Sequence, residues 1–371
     1  MASDLRPHIR DEDIAHQLAR RGVSRRDFLR FCAVMTATLA LPQHYVGRVA
    51  AAVAGAKKPV LIWLEFQDCC GNTESLLRAN SPGVGEIVLD LLSIEYHETI
   101  MAAAGHQSEE ARAAAIKEPG YLVVVEGSIP TKDNGVYCTI GGRSALDILQ
   151  EVGKGAAAII SAGTCSAFGG IPAAAPNPTG AVSVQDVLPN ANIINLPGCP
   201  MNVVNLTATV VHYLTFGQLP AVDQFRRPLF AYGARIHDNC ERRGHFDAGQ
   251  FVEEWGDEGH RQGWCLYKMG CKGPATFHNC PQAEWNDATS WPIGAGHGCV
   301  GCSEPNFWDT MMPAYGRLPN VPGFGAEATA DQVGLIIAGA VGGAFALHGI
   351  AAAIRAKVNP LKKTETKVEG N

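Results

Sequence analysis

Twelve cysteines are spread over 371 residues, and their spacing beside one histidine is what could do chemistry. His237-x2-Cys240, Cys265-x5-Cys271, Cys280 and Cys299-x2-Cys302 fall within a window of 66 residues. Thiolate sulfur is a soft donor that suits zinc and iron–sulfur clusters, and paired cysteines also form disulfides. Zinc asks for four ligands per tetrahedral site, whereas the window offers seven, His237 and six cysteines. Four plus three suits one four-iron and one three-iron cluster. A disulfide reading leaves the histidine without a role. Earlier in the chain, Cys69, Cys70, Cys165 and Cys199 each follow shortly after an apolar run.

The elements that must position these groups differ between the two halves. Val60–Glu65, Tyr121–Val125, Ala156–Ser161 and Asn192–Leu196 read as buried strands, with helices predicted over Ile87–Ala104 and Ser144–Gly153. That alternation is the pattern of an α/β doubly wound parallel sheet. Such sheets bind ligands beyond the carboxyl ends of their strands, so Cys69, Cys70, Cys165 and Cys199 should converge on one sheet edge. From Phe225 to Val321 regular patterning disappears while Gly, Pro, Trp and Cys become dense. A stretch of that kind needs covalent or metal staples.

The two ends carry different signals. Ser24-Arg25-Arg26-Asp27-Phe28-Leu29-Arg30, an uncharged run Phe31–Leu41 and an Ala-rich stretch Ala50–Ala56 resemble a twin-arginine export signal with its cleavage region. That route carries folded proteins, which suits a cofactor inserted before export. Val333–Ile354 has no formal charge and would span about 33 Å as a helix. Arg355, Lys357, Lys362 and Lys363 follow, placing the tail in the cytoplasm and the body on the outer, periplasmic face. Gly339 and Gly343 offer a small-residue face for another membrane helix, and His348 lies in the same run. Residues 57–353 hold 17 basic and 29 acidic side chains, which excludes nucleic-acid binding as the main activity.

The chain closely resembles the small, electron-transferring subunit of the periplasmic, membrane-bound nickel–iron hydrogenases. The resemblance is carried by Arg235-Ile-His-Asp-Asn-Cys240, His245-Phe-Asp-Ala-Gly-Gln-Phe251, the run Gly263–Pro274 and Cys299-Val-Gly-Cys-Ser-Glu-Pro305. Gly163-Thr-Cys-Ser-Ala-Phe-Gly-Gly-Ile-Pro172 and Leu196-Pro-Gly-Cys-Pro200 carry it in the first half. It implies a flavodoxin-like domain (57–225) with a proximal 4Fe–4S cluster and an irregular domain (226–325) with medial and distal clusters. A signal segment (1–56) and a transmembrane helix with its tail (326–371) flank them. Cys280, Cys299 and Cys302 would hold the medial 3Fe–4S cluster, with Pro292 where a fourth cysteine would stand. His237, Cys240, Cys265 and Cys271 would hold the distal 4Fe–4S cluster. Electrons from a partner large subunit, which carries the active site, would leave through this relay to a membrane cytochrome b and quinone. A dimer of heterodimers is the expected assembly, and His348 is a candidate contact to the haem.

The sequence departs from that family at the proximal loop. Cys69, Cys165 and Cys199 match its motif, but Asn72 stands where the second cysteine of Cys-x2-Cys belongs. Cys70 is the expected fourth ligand, because a turn lets adjacent side chains reach two corners of one cluster and Gly71 permits such a turn. Asn72 is the alternative. Glu74 and Glu126, near strand ends, are candidates to support the cluster or the subunit interface. Cys138 is read as packing, and Cys32 belongs to the signal segment. Two other functions compete: a membrane-anchored module stapled by zinc or disulfides, and a cluster-bearing chain like that of respiratory complex I, which has tandem cysteines but no second domain.

Overall fold

The computed structural model describes residues 23–56, 58–79, 91–286, 288–318 and 330–358. Met1–Pro319 forms one compact unit and Asn320–Asn371 a second. The boundary expected at 325/326 and the basic residues Lys362 and Lys363 lie outside the described residues.

The first unit opens with two helices, α1 (Arg25–Thr38) and α2 (Val46–Gly55). Then come β1 (Val60–Glu65), α3 (Gly71–Leu77), β2 (Ser93–His97), α4 (His106–Ala115) and β3 (Leu122–Glu126). They are followed by α5 (Ala145–Gly153), β4 (Ala158–Ala162), α6 (Gly163–Phe168), β5 (Ile193–Leu196) and α7 (Val203–Phe216). The five strands form one parallel sheet in the order β2-β1-β3-β4-β5, the order of flavodoxin-like doubly wound sheets. Strands buried on both faces read as continuous apolar runs, which is why four of them were legible in the sequence. Successive residues feed opposite cores. Leu61, Trp63, Leu122, Val124, Ile160 and Ile194 pack toward α7, while Ile62, Leu64, Val123, Val125, Ile159 and Ile193 pack toward α5. Ser144 caps α5 by accepting the Asp147 N–H, and Asn202 caps α7 by accepting the Val204 N–H.

The helix expected over Ile87–Ala104 is replaced, within its described part, by the edge strand β2. Leu91, Leu92, Ile94 and Met101 mimic a helical stripe, but pairing with β1 wins. The backbone of β2 hydrogen-bonds to β1, and the His97 ring stacks on Trp63 at 5.0 Å.

The N-terminal segment, expected to act as an address, is folded. Ser24 caps α1 and Arg25 and Arg26 remain exposed. Cys32, Met35, Val49 and Val53 are fully buried in the same core as Leu206 and Val211 of α7. The Ala-rich stretch Ala50–Ala56 therefore lies largely within α2. A charge at Val53 would be buried without a partner, so Val53→Asp should free this segment. In the full-length chain, trypsin should then cut at Arg48 well over tenfold faster, with cleavage within the sheet unchanged. Equal cutting in wild type and variant would show that the packing does not persist in solution.

Between Phe225 and Leu318 the described chain has only helices of five residues or fewer, joined to the sheet half by buried polar contacts. Arg227, 3 % exposed, pairs with Asp223 at 2.8 Å and with Glu304 at 3.0 Å. Asn205 and Asn279 exchange amide hydrogen bonds at 2.9 and 3.0 Å. The second unit contains α8 (Ala330–Val358), longer than the expected Val333–Ile354. Its stretch Leu335–Arg355, 21 residues of mean hydropathy 1.9, is long and apolar enough to cross a membrane. His348 lies within it.

Candidate metal centres

Three strand ends build the first centre. β1 runs out at Glu65 and leads to Cys69, β4 leads through Gly163 into Cys165, and β5 leads to Cys199. Thr164 ties two of these loops together: its N–H donates to the Gly198 carbonyl at 3.0 Å, and its hydroxyl accepts the Gly198 N–H at 2.9 Å. The thiols of Cys69, Cys165 and Cys199 lie close enough to influence one another. Burial, then Cys199 and Cys69, push Cys165 up to about 12, and burial, then Cys69, raise Cys199. A side chain at Gly170, where φ is +58°, would come within 2.7 Å of the Cys165 sulfur, and one at Gly71 within 3.2 Å of the Cys69 sulfur. These glycines leave space at the thiols that a bulky group could fill.

Cys70 and Asn72 are placed differently from the three thiols. Cys70 occupies the left-handed region, φ 57°, and is exposed. Its sulfur gathers with carboxylate oxygens of Glu65 and Asp68, all within 4.8 Å of one another. Asn72 is buried with its amide committed at both ends. It donates to Glu126 at 3.1 Å and accepts the Met201 N–H at 2.8 Å. Glu126, wholly buried, also accepts from the Asn72 N–H, the Thr73 N–H and hydroxyl, and the Trp63 indole. Its carboxylate thus anchors the first turn of α3 beside the thiols, a role its place at a strand end only hinted at. Glu74 faces solvent and pairs with Arg78 at 2.7 Å.

The second centre is reached from the first through Thr164, whose hydroxyl also donates to the Cys302 carbonyl. Cys280, Cys299 and Cys302 are within electrostatic reach of one another, and burial pushes Cys280 and Cys302 up to about 12. Cys199 also acts electrostatically on the Cys302 thiol, so the first two centres lie within reach of each other. Trp291 and Ile293, flanking Pro292, pack in the same core cluster as Cys280 and Cys299. His278 sits beside this group, its Nδ1 3.1 Å from the Cys280 sulfur, a neighbour the spacing motifs did not single out.

At the third centre His237, Cys240, Cys265 and Cys271 line one small pocket. Burial and Arg243 hold His237 down to about 4, so its imidazole is neutral at pH 7 and has a lone pair to offer. The Arg242, Gly273 and Cys299 N–H groups point at the sulfurs of Cys240 and Cys271 from 3.3–3.4 Å. Such contacts stabilise thiolate charge.

The twelve cysteines are all free thiols. Among the described residues, no three donors of the second and third centres come within 4.8 Å of one another. A single tetrahedral zinc would draw its ligands closer than that, since zinc–sulfur bonds are only about 2.3 Å long. Soft donors, glycine-cleared space and N–H groups aimed at sulfur fit a polynuclear iron–sulfur group instead.

A doubly wound domain whose strand ends carry thiols, followed by a cysteine-rich domain with two further thiol groups, defines an iron–sulfur redox protein. Comparison with known proteins gives the particular family. Residues 232–315 match the model of the C-terminal region of the NiFe/NiFeSe hydrogenase small subunit. Residues 69–213 match that of the NADH ubiquinone oxidoreductase 20 Kd subunit. The chain is 46% identical over 343 residues to the quinone-reactive Ni/Fe-hydrogenase small chain of Wolinella succinogenes, covering 90% of this chain and 97% of that one. It is 51% identical over 286 residues to the hydrogenase-2 small chain of Escherichia coli K12, covering 76% and 77%. A solved Ni-Fe-Se hydrogenase chain from Desulfomicrobium baculatum superposes with a TM-score of 0.67 at 33% identity, over 70% of this chain and all of that one. The chain belongs to the family of nickel–iron hydrogenase small subunits. The first-half match explains why a complex-I-like reading competed, and the match over 232–315 decides against it.

Proposed function

We propose that this chain is the electron-conducting small subunit of a hydrogen-oxidising heterodimer held at the outer face of the cell membrane. The observation that carries the reading is the pocket lined together by His237, Cys240, Cys265 and Cys271. Iron–sulfur clusters bound at the three centres would accept and pass single electrons. Cys69, Cys165 and Cys199, with Cys70 as fourth ligand, would hold a proximal 4Fe–4S cluster. Cys280, Cys299 and Cys302 would hold a medial 3Fe–4S cluster, and the four pocket residues a distal 4Fe–4S cluster.

The protein's own groups prepare these sites. Burial raises the thiols, so without iron they stay protonated at neutral pH, and cluster insertion must release those protons. The sheet half and the irregular half are locked by Arg227 and by Thr164, which holds the order proximal, medial, distal along the chain's interior. The large subunit supplies the nickel–iron site, and two heterodimers assemble together. The quinone-reactive relative supports quinone as the final acceptor, and in this reading a membrane cytochrome b approached by α8 and His348 carries the electrons to it. The twin-arginine segment carries the folded, loaded complex outward, leaving the basic tail in the cytoplasm.

His237→Ala in the heterodimer tests the relay. It removes a ligand of the centre farthest from the partner's active site. Dye reduction should fall at least tenfold while hydrogen–deuterium exchange stays within twofold. Equal losses in both assays would mean that His237 does not stand at the exit of the relay.

A further inference from the structure

Lys272 follows Cys271 directly, yet its side chain is 1 % exposed. Its ammonium donates to the carbonyl oxygens of Pro313 at 3.0 Å, Ala314 at 3.5 Å and Gly316. Among the described residues it forms no ion pair with a carboxylate. A buried charge of this kind is costly unless an opposite charge lies near. The Lys272 backbone is joined to Cys271 of the distal set and packs against Cys299 of the medial set. The backbone fixes that position: the Lys272 N–H donates to the Cys299 carbonyl at 2.7 Å, and the Cys299 N–H points at the Cys271 sulfur from 3.3 Å.

We propose that the Lys272 ammonium is the shared buried counter-charge of the medial and distal centres and raises the reduction potential of both. The inference rests on the ligand sets proposed above. Three thiolates per centre outweigh the positive charge of an iron–sulfur core, so each loaded centre is anionic. An arriving electron makes it more so, and a cation fixed in a low-dielectric interior favours that state. Because the Lys272 backbone adjoins both sets, both potentials rise together and the step between them is left unaltered. The carbonyls of residues 313–316 hold the ammonium in place, which makes Lys272 a positioning and tuning residue rather than a ligand.

The test is a redox titration of the purified heterodimer by electron paramagnetic resonance, comparing wild type with Lys272→Met, Lys272→Gln and Lys272→Arg. In the two neutral variants the reduced-to-oxidised ratio at a fixed potential should drop at least tenfold at both centres, about 59 mV for a one-electron couple. Lys272→Arg should stay within threefold of wild type. Loss of clusters in both neutral variants but not in Lys272→Arg also supports a counter-charge role. Potentials that stay within threefold in neutral variants of normal iron content would overturn it, as would a shift at one centre alone or cluster loss in all three variants. A wild-type protein lacking three-iron and four-iron signals would overturn the ligand sets themselves.

Discussion

Cutting the chain after Gly323 is expected to yield a soluble heterodimer that still reduces artificial dyes within twofold of the full enzyme. Its reduction of quinone in membranes should fall at least a hundredfold. The compact unit Met1–Pro319 contains every centre and the buried ion pair of Arg227, so removing the later residues leaves the relay intact. Leu335–Arg355 forms part of the second unit and exposes Leu335, Ile336, Phe345 and Leu347, an apolar surface that water does not favour. Under the proposed function, burying such a helix in lipid would fix the body beside a membrane acceptor, and losing it would dilute that encounter to a collision in solution. Quinone reduction that survives truncation unchanged would rule out α8 as the link to the acceptor.

A second large effect is expected at the proximal loop, where two substitutions should part company. Cys70→Ser should abolish the spectroscopic signal of the proximal cluster. Asn72→Ala should retain the signal but lower the stability of the chain. Asn72 is engaged at both ends of its amide, and a side chain at Gly163 would come within 2.6 Å of its oxygen. To ligate iron it would have to abandon Glu126 and the Met201 N–H, leaving buried groups unpaired at about 1–3 kcal/mol each. A carboxamide oxygen is in any case a hard, weak donor to iron. Among the described residues, Cys70 is held only by the exposed Thr99 hydroxyl. It is exposed in a left-handed turn, and turning its side chain from Glu65 and Asp68 toward Cys69 breaks no buried hydrogen bond. The opposite pattern, signal lost in Asn72→Ala and kept in Cys70→Ser, would make Asn72 or water held by it the fourth ligand.

Much of the architecture was legible because parallel strands buried on both faces leave unbroken apolar runs. Val60–Glu65 was read to the residue, and the other three predicted strands to within two. The helix predicted over Ser144–Gly153 is α5, with Ser144 as its cap. β2 was missed, since an edge strand with mixed burial has no unbroken run, and what holds it extended is the partner strand β1. The N-terminal helices were read as an address because their arginine pair and apolar run match one. That those apolar residues also complement the face of α7 is a property of two surfaces far apart in sequence.

The sequence alone determined which residues carry the chemistry. Soft donors at short, fixed spacings are few, and His237-x2-Cys240 or Cys299-x2-Cys302 needs no coordinates to suggest a metal. What only the tertiary structure decided is which way each donor faces and what lies beside it. It turned Cys70 toward carboxylates, tied the Asn72 amide to Glu126, sent Glu74 into solvent and buried the Lys272 ammonium against the carbonyls of residues 313–316. The Asn72 direction depends on groups more than 50 residues away, Glu126 and Met201. Spacing along the chain encodes local reach, whereas the charge and hydrogen bonds around a centre come from strands and loops that meet only when the sheet closes.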